Sequence, residues 1–172
     1  MKAGLQLYNP MKTQVLIYVP GKAVPHCHEV SPEITFEEIV VKLRGDRVIT
    51  DDMIIVEEDG VEAIILTEKV GEGGRHKRVI HCHRCHHIHV TIAHPGPKPP
   101  GPLEHKFRPG TRVVTVKDWA VKQIPDIDHG AKWCLRDTAG EILDGEIHIG
   151  TLADHPGCAL HVSLTEHHKP KG

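Results

Sequence analysis

With 172 residues, 21 Lys and Arg against 23 Asp and Glu, and a formal net charge of −2 with histidine neutral, the chain has no strong field to draw it to nucleic acid or to an anionic membrane. Its longest apolar runs, such as Ala63 to Leu66, fall far short of a membrane span, and no charged start, apolar stretch and small-residue cleavage site opens it, so a soluble cytoplasmic protein is expected. Aromatics at 3% require an aliphatic core, and five cysteines without a secretory signal predict reduced thiols rather than a disulfide framework.

In chain order, Met1 to Pro10 show little periodicity, and residues 1–12 read as an N-terminal arm. Gln14 to Val19 is β-rich, Pro20-Gly21-Lys22 is a turn, and Ala23 to Val30 is a second extended run, which together make a hairpin. Ser31 stands where an N-cap belongs and Pro32 suits a first helical position. Phe36, Ile39, Val40 and Leu43 then recur at i, i+3, i+4 and i+7, which predicts one amphipathic helix ending near Gly45. Met53 to Val56 is a short strand closed by Asp59-Gly60, Ala63 to Leu66 suggests a shorter one, and Val79 to Cys85 is the last strand of this half.

The second half repeats the order. Ile88, Val90 and Ile92 alternate on a strand, Leu103 to Phe107 is its partner, and Val116, Trp119 and Ala120 mark a helix face; Lys132 to Arg136 and Cys158 to Thr165 supply the later strands. Direct alignment supports a duplication: Met53 to Gly60 falls on Trp133 to Gly140 at an offset of 80, and the same offset sets Val79-Ile80-His81 on Ala159-Leu160-His161. The pattern is ββαββ twice, an α+β organisation in which one helix covers one face of each sheet. The boundaries are 13–86 for the first unit, 87–165 for the second and 166–172 for a flexible tail. Cys85-His86-His87 leaves almost no linker, so the two units are expected to sit close together.

The histidine and cysteine cluster at residues 81–89 has zinc-ligand character, with Cys82 and Cys85 in a CxxC spacing. On a strand, however, residues three apart point to opposite faces, no Gly, Pro or Asn supplies a turn there, and a second CxxC is absent. No structural metal and no cofactor are expected from it. By the 80-residue offset Cys82 falls on core-facing Val162, and His81 and His83 line one exposed sheet face with His161 the match of His81. His28 aligns with His105 as a half-buried pair, Cys134 reads as a small core residue, and Cys158 falls in a loop. Gly71-Glu72-Gly73-Gly74 has no helix pattern after it and reads as a mobile loop. With neither a phosphate-binding loop nor a catalytic triad, no catalysis is expected.

The order of elements, the apolar-polar-Pro entry to each helix (Val30-Ser31-Pro32 and Phe107-Arg108-Pro109) and a short tail stopping at Gly resemble ubiquitin. The tandem arrangement is similar to the interferon-induced double ubiquitin-like modifier of vertebrates. The segments His81-Cys82-His83-Arg84-Cys85 and His148-Ile149-Gly150-Thr151-Leu152 resemble bacterial ubiquitin-like proteins encoded beside activating, conjugating and deconjugating enzymes in anti-phage operons. The resemblance implies two tandem ubiquitin-like β-grasp domains and a covalent modifier acting through Gly172. Lys169, Pro170 and Lys171 would serve in tail recognition. Its partners would be an activating enzyme, a conjugating enzyme, a deconjugating metalloprotease and target proteins, with self-association a further possibility for the first unit. The tail differs from that of ubiquitin in lacking a double Gly and the Arg before it. The alternatives are a non-covalent adaptor using the sheet faces and a His-rich metal-binding protein.

Overall fold

The computed structural model describes residues 11–22, 24–58, 63–96, 98–154 and 156–167. The chain forms two four-stranded sheets, each crossed by one helix, in the α+β pattern of two tandem ubiquitin-like β-grasp units. The first holds β1 (Thr13–Tyr18), β2 (His26–Val30), α1 (Phe36–Gly45), β3 (Ile54–Glu57) and β4 (Lys77–His83); the second holds β5 (Ile88–Ala93), β6 (Leu103–Phe107), α2 (Val113–Gln123), β7 (Trp133–Arg136) and β8 (Ala159–Glu166). Strand orders are β2-β1-β4-β3 and β6-β5-β8-β7, with the central pair of each sheet parallel and the outer pairs antiparallel. Gly21, at φ +74°, makes the β1–β2 turn in a conformation that a side chain would strain.

Each helix buries its predicted stripe against its own sheet. Phe36, Ile39, Val40 and Leu43 of α1 pack with Val15, Ile17 and Ile80, and Val116 and Ala120 of α2, joined by Val113, which the sequence did not single out, pack with Val90, Ile92 and Val162. Trp119 packs on the rim of the second core. The duplication extends to the loops: the first two helical N–H groups of α1 donate to Glu68 O and Leu66 O, and those of α2 to Ile147 O and Gly145 O, so the segment before each last strand satisfies the start of each helix.

Several expectations shift. The cap of α1 is Thr35, not Ser31: its side chain accepts from Glu38 N–H while the Glu38 carboxylate accepts from Thr35 N–H at 2.8 Å, a capping box. Ser31 instead accepts from Glu33 N–H within the turn before it. Ala63 contributes a single bridge to Val56 in place of a strand, and β8 runs one residue past Thr165, to Glu166. The tandem offset is 80 between Ile55 and Leu135 but 82 between their partners Cys82 and Leu164, so His81 corresponds to Ser163 and not to His161. A slip of two keeps every residue on its face, which is why the core reading survives it.

Two further differences concern charge and sulfur. Arg78 faces the helix, where its counterpart is Leu160, and is 2% exposed. Its guanidinium reaches Glu57 at 2.6 Å, Glu68 at 3.0 Å and Val70 O at 3.1 Å, and lies 4.7 Å from the centre of the Phe36 ring. Cys85 and Cys158 are joined by a disulfide, contrary to the expectation of reduced thiols. β4 ends at His83, and the chain bends at residues 84–87 without Gly, Pro or Asn. That bend carries Cys85 into the second core while Cys82 stays in the first, so the CxxC spans two cores and its sulfurs are not a chelating pair. Burial pushes the Cys82 thiol up to about 12. Cys134 aligns with Ile54 as expected but stands half-buried on the face away from the core, its sulfur 3.4 Å from the Thr165 hydroxyl.

Candidate functional site

The sequence-predicted site residues Lys169, Pro170, Lys171 and Gly172 lie outside the described residues. What the structure gives is the surface from which they depart. The last described residue, His167, donates its N–H to Lys132 O at 2.6 Å, which extends the β7–β8 edge. Beside it a cleft of about 550 Å³ opens between α2 and β7, lined among others by Lys117, Asp118, Val121, Trp133 and His167. Trp133 is held there by an Nε1–H bond to Asp128 O at 2.8 Å, so an oriented aromatic side chain lines the cleft.

A second constellation, at the joint between the units, was not foreseen. His81 and His83 were expected on an exposed sheet face, yet each is 3% exposed. β4 alternates normally through Ile80, and then His81, Cys82 and His83 are all buried, because the outer face of the first sheet is covered at that end by the second unit. Val56, opposite His81, is likewise buried while belonging to neither core.

The cover comes from the segments around Pro109-Gly110 and His148 to Gly150. His83 Nε2–H donates to Gly150 O at 2.9 Å, and its Nδ1 accepts from Cys85 N–H at 2.9 Å, which fixes the tautomer. A Cβ on Gly110 would lie 2.9 Å from His81 Cδ2, so only glycine lets the loop approach the imidazole so closely. Tyr18 stacks on His81 with ring centres 5.0 Å apart, and His148 meets both rings edge-on at 4.5 Å.

Glu58, just past β3, completes the group. Its Oε1 lies 2.6 Å from His148 Nε2 and 3.4 Å from an Arg112 nitrogen. An ionised carboxylate can only accept, so His148 Nε2 carries the proton in this contact. Burial is the largest influence on the Glu58 carboxyl and pushes it up. The His148 hydrogen bond and the charges of His148 and Arg112 together outweigh burial and hold it below the usual value. Burial, reinforced by His148, pushes His81 down to about 3, so its ring is neutral at physiological pH. Its Nε2 is buried and has no hydrogen-bond partner among the described residues.

The other predicted histidine pair divides. His28 is half-buried and lowered, first by burial and then by the charge of Lys42, whereas His105 is exposed and stacks on Trp119 at 4.7 Å. One sequence signal for the joint was available: only four residues separate β4 from β5, so the histidines ending β4 had to stand against whatever followed.

The sequence model of BilA ubiquitin-like domain 2 matches residues 101–167, from the start of β6 to the end of β8. No curated protein matches the chain. Among solved structures, a chain of the xenon-pressurised phenol hydroxylase from Pseudomonas sp. OX1 aligns at 16% identity and a TM-score of 0.35, over 48% of this chain and 81% of that one, a likeness too slight to carry an argument. Among the described residues no helix is long and apolar enough to cross a membrane.

Proposed function

We propose that this protein of two ubiquitin-like units is a covalent protein modifier rather than a catalyst. An activating enzyme adenylates the carboxylate of Gly172 and passes the acyl group to a thiol, and a conjugating enzyme delivers it to a target lysine as an isopeptide bond. A deconjugating metalloprotease reverses the step. The setting is the bacterial cytoplasm and anti-phage defence. The observation that carries the reading is the match to a ubiquitin-like domain family over residues 101–167, in the unit from which the tail departs.

The geometry suits the role. The five residues past His167, 168–172, can span at most about 17 Å at ~3.3 Å each, long enough to enter an enzyme channel. A terminal glycine carries no side chain to obstruct that channel. The cleft beside His167 and Trp133 is a surface against which such an enzyme can hold the base of the tail while it reads Lys169, Pro170 and Lys171.

With cognate activating and conjugating enzymes and ATP, the protein should form an enzyme thioester and then adducts whose peptide map joins a lysine to Gly172. Deleting Gly172, or Gly172→Val, should abolish both without moving the melting curve, because terminal residues contribute little to stability. Lys171→Ala should only slow transfer, its charge steering the tail without entering the bond. Undiminished adducts from the Gly172 deletion would remove this reading and put a non-covalent adaptor in its place.

A further inference from the structure

We propose that Glu58, His81 and His148 form a binding site for one divalent transition-metal ion, zinc foremost, bridging the two ubiquitin-like units. The ligand set is two imidazoles and one carboxylate, whose ligating atoms all lie within 4.8 Å of one another. Both histidines are buried and Glu58 is half-buried, so the site is walled by protein.

The independent observation that points to a ligand is His81 Nε2, a buried ring nitrogen with no hydrogen-bond partner among the described residues, on a side chain 3% exposed. An unpartnered buried nitrogen costs free energy, and a neutral imidazole with a free lone pair is the form that binds a metal. The stacked Tyr18 ring and the close approach of Gly110 hold that nitrogen in place.

Zinc takes nitrogen and carboxylate oxygen at ~2.0–2.2 Å, which sets neighbouring ligands of a tetrahedron about 3.3 Å apart. His148 Nε2 and Glu58 Oε1 stand 2.6 Å apart and must part slightly, and the His148 ring must hold its proton on Nδ1 so that Nε2 offers its lone pair to the ion. Arg112, 3.4 Å from Glu58 Oε1, opposes the added charge. It also pairs with Glu146 at 3.3 Å, which gives its guanidinium an alternative partner. With three protein ligands the fourth position is left to water, so binding is expected to be moderate and reversible rather than structural in the sense of a zinc finger. Two ligands come from the first unit and one from the second, so the ion would pin the joint.

The test uses full-length protein without an affinity tag, freed of metal by chelation and dialysis. Cobalt(II), whose visible spectrum reports tetrahedral coordination, is titrated in and then displaced by zinc(II). Glu58→Gln and His148→Gln, which keep shape and hydrogen-bonding capacity, are compared with a control carrying His129→Gln, His161→Gln and His167→Gln on the surface. Expected are one ion per wild-type chain, a visible tetrahedral band, affinity lowered about tenfold or more in both site variants, and no change in the control. Zinc should also raise the melting temperature of wild type and control but of neither site variant. If His148→Gln does not fold, Glu58→Gln and the zinc-induced change in the His81 ring NMR signals decide. Absence of a tetrahedral band, equal affinity in wild type and Glu58→Gln, or loss of binding in the surface control would overturn the site. Conjugation through Gly172 is read separately, so failure of either proposal leaves the other standing.

Discussion

Lys69 and His148 occupy the same place in the two units. Lys69 bridges to Thr35 ahead of α1, His148 bridges to Arg112 ahead of α2, and the glycine two residues on, Gly71 or Gly150, donates to the carbonyl of Pro32 or Pro109. Yet Lys69 stands exposed with its ammonium 2.6 Å from Glu33, while His148 is buried against Glu58 and His81 of the other unit. His81 and Ser163 repeat the lesson, one buried at the joint and one on the open face of the second sheet. A duplicated fold fixes where a side chain stands; only the packing of one copy on the other fixes what it faces.

The two cores also differ in what holds them, and the largest expected effect tests that difference. Arg78→Ala leaves Glu57 and Glu68 without their buried cation and should cost about 3–5 kcal/mol by denaturant unfolding. Combining Arg78→Leu with Glu57→Gln and Glu68→Gln copies the apolar choice of the second unit at Leu160, and should recover most of the loss. A single Arg78→Ala within 0.5 kcal/mol of wild type, a range typical of about any neutral surface change, would show that the network contributes nothing.

Next in size is the staple peculiar to the second unit. Cys158→Ser, or reduction with dithiothreitol, opens the link between Cys85 and Cys158 and should lower stability by about 2–4 kcal/mol. Hydrogen exchange should report the loss over β5 to β8 and leave α1 protected. Equal loss in both units would mean that they unfold as one body.

Smaller again, Glu58→Ala in metal-free protein strips His148 of its buried acceptor and should cost about 1–3 kcal/mol. Small-angle scattering should then show a looser joint. Ser163→His, which gives the second unit the counterpart of His81, meets no partner surface and should change stability by less than about 0.5 kcal/mol. A comparable cost from both would erase the distinction between the covered and the open face.

The smallest effect is chemical. Cys82, its thiol raised to about 12 by burial, should resist iodoacetamide at pH 8 in the folded protein, while exposed Cys27 reacts. Mass spectrometry of the alkylated peptides reads the contrast, and modification of Cys82 at the rate of Cys27 would show that β4 opens freely.

Much of this was legible in the chain. The stripe Phe36, Ile39, Val40, Leu43 named the buried face of α1 because helical spacing gathers those positions on one side. Alternation at Ile88, Val90 and Ile92 named the inner face of β5, because a strand turns successive side chains to opposite sides. The cap at Thr35 was missed because Ser31-Pro32 is an equally good local signal, and only the capping box with Glu38 separates them. The Cys85–Cys158 link was missed because cysteine spacing does not encode which loops meet.

What the sequence by itself determined, then, is the duplicated ββαββ pattern, since periodicity and turn residues are local and repeat wherever the unit repeats. What only tertiary structure decided is the joint. Glu58, His81 and His148 lie 23 and 67 residues apart along the chain. No local rule brings them together; the four-residue link after β4 and the absence of a side chain at Gly110 let the second unit close over the first sheet, and that closure turns an outward-facing histidine into a buried one.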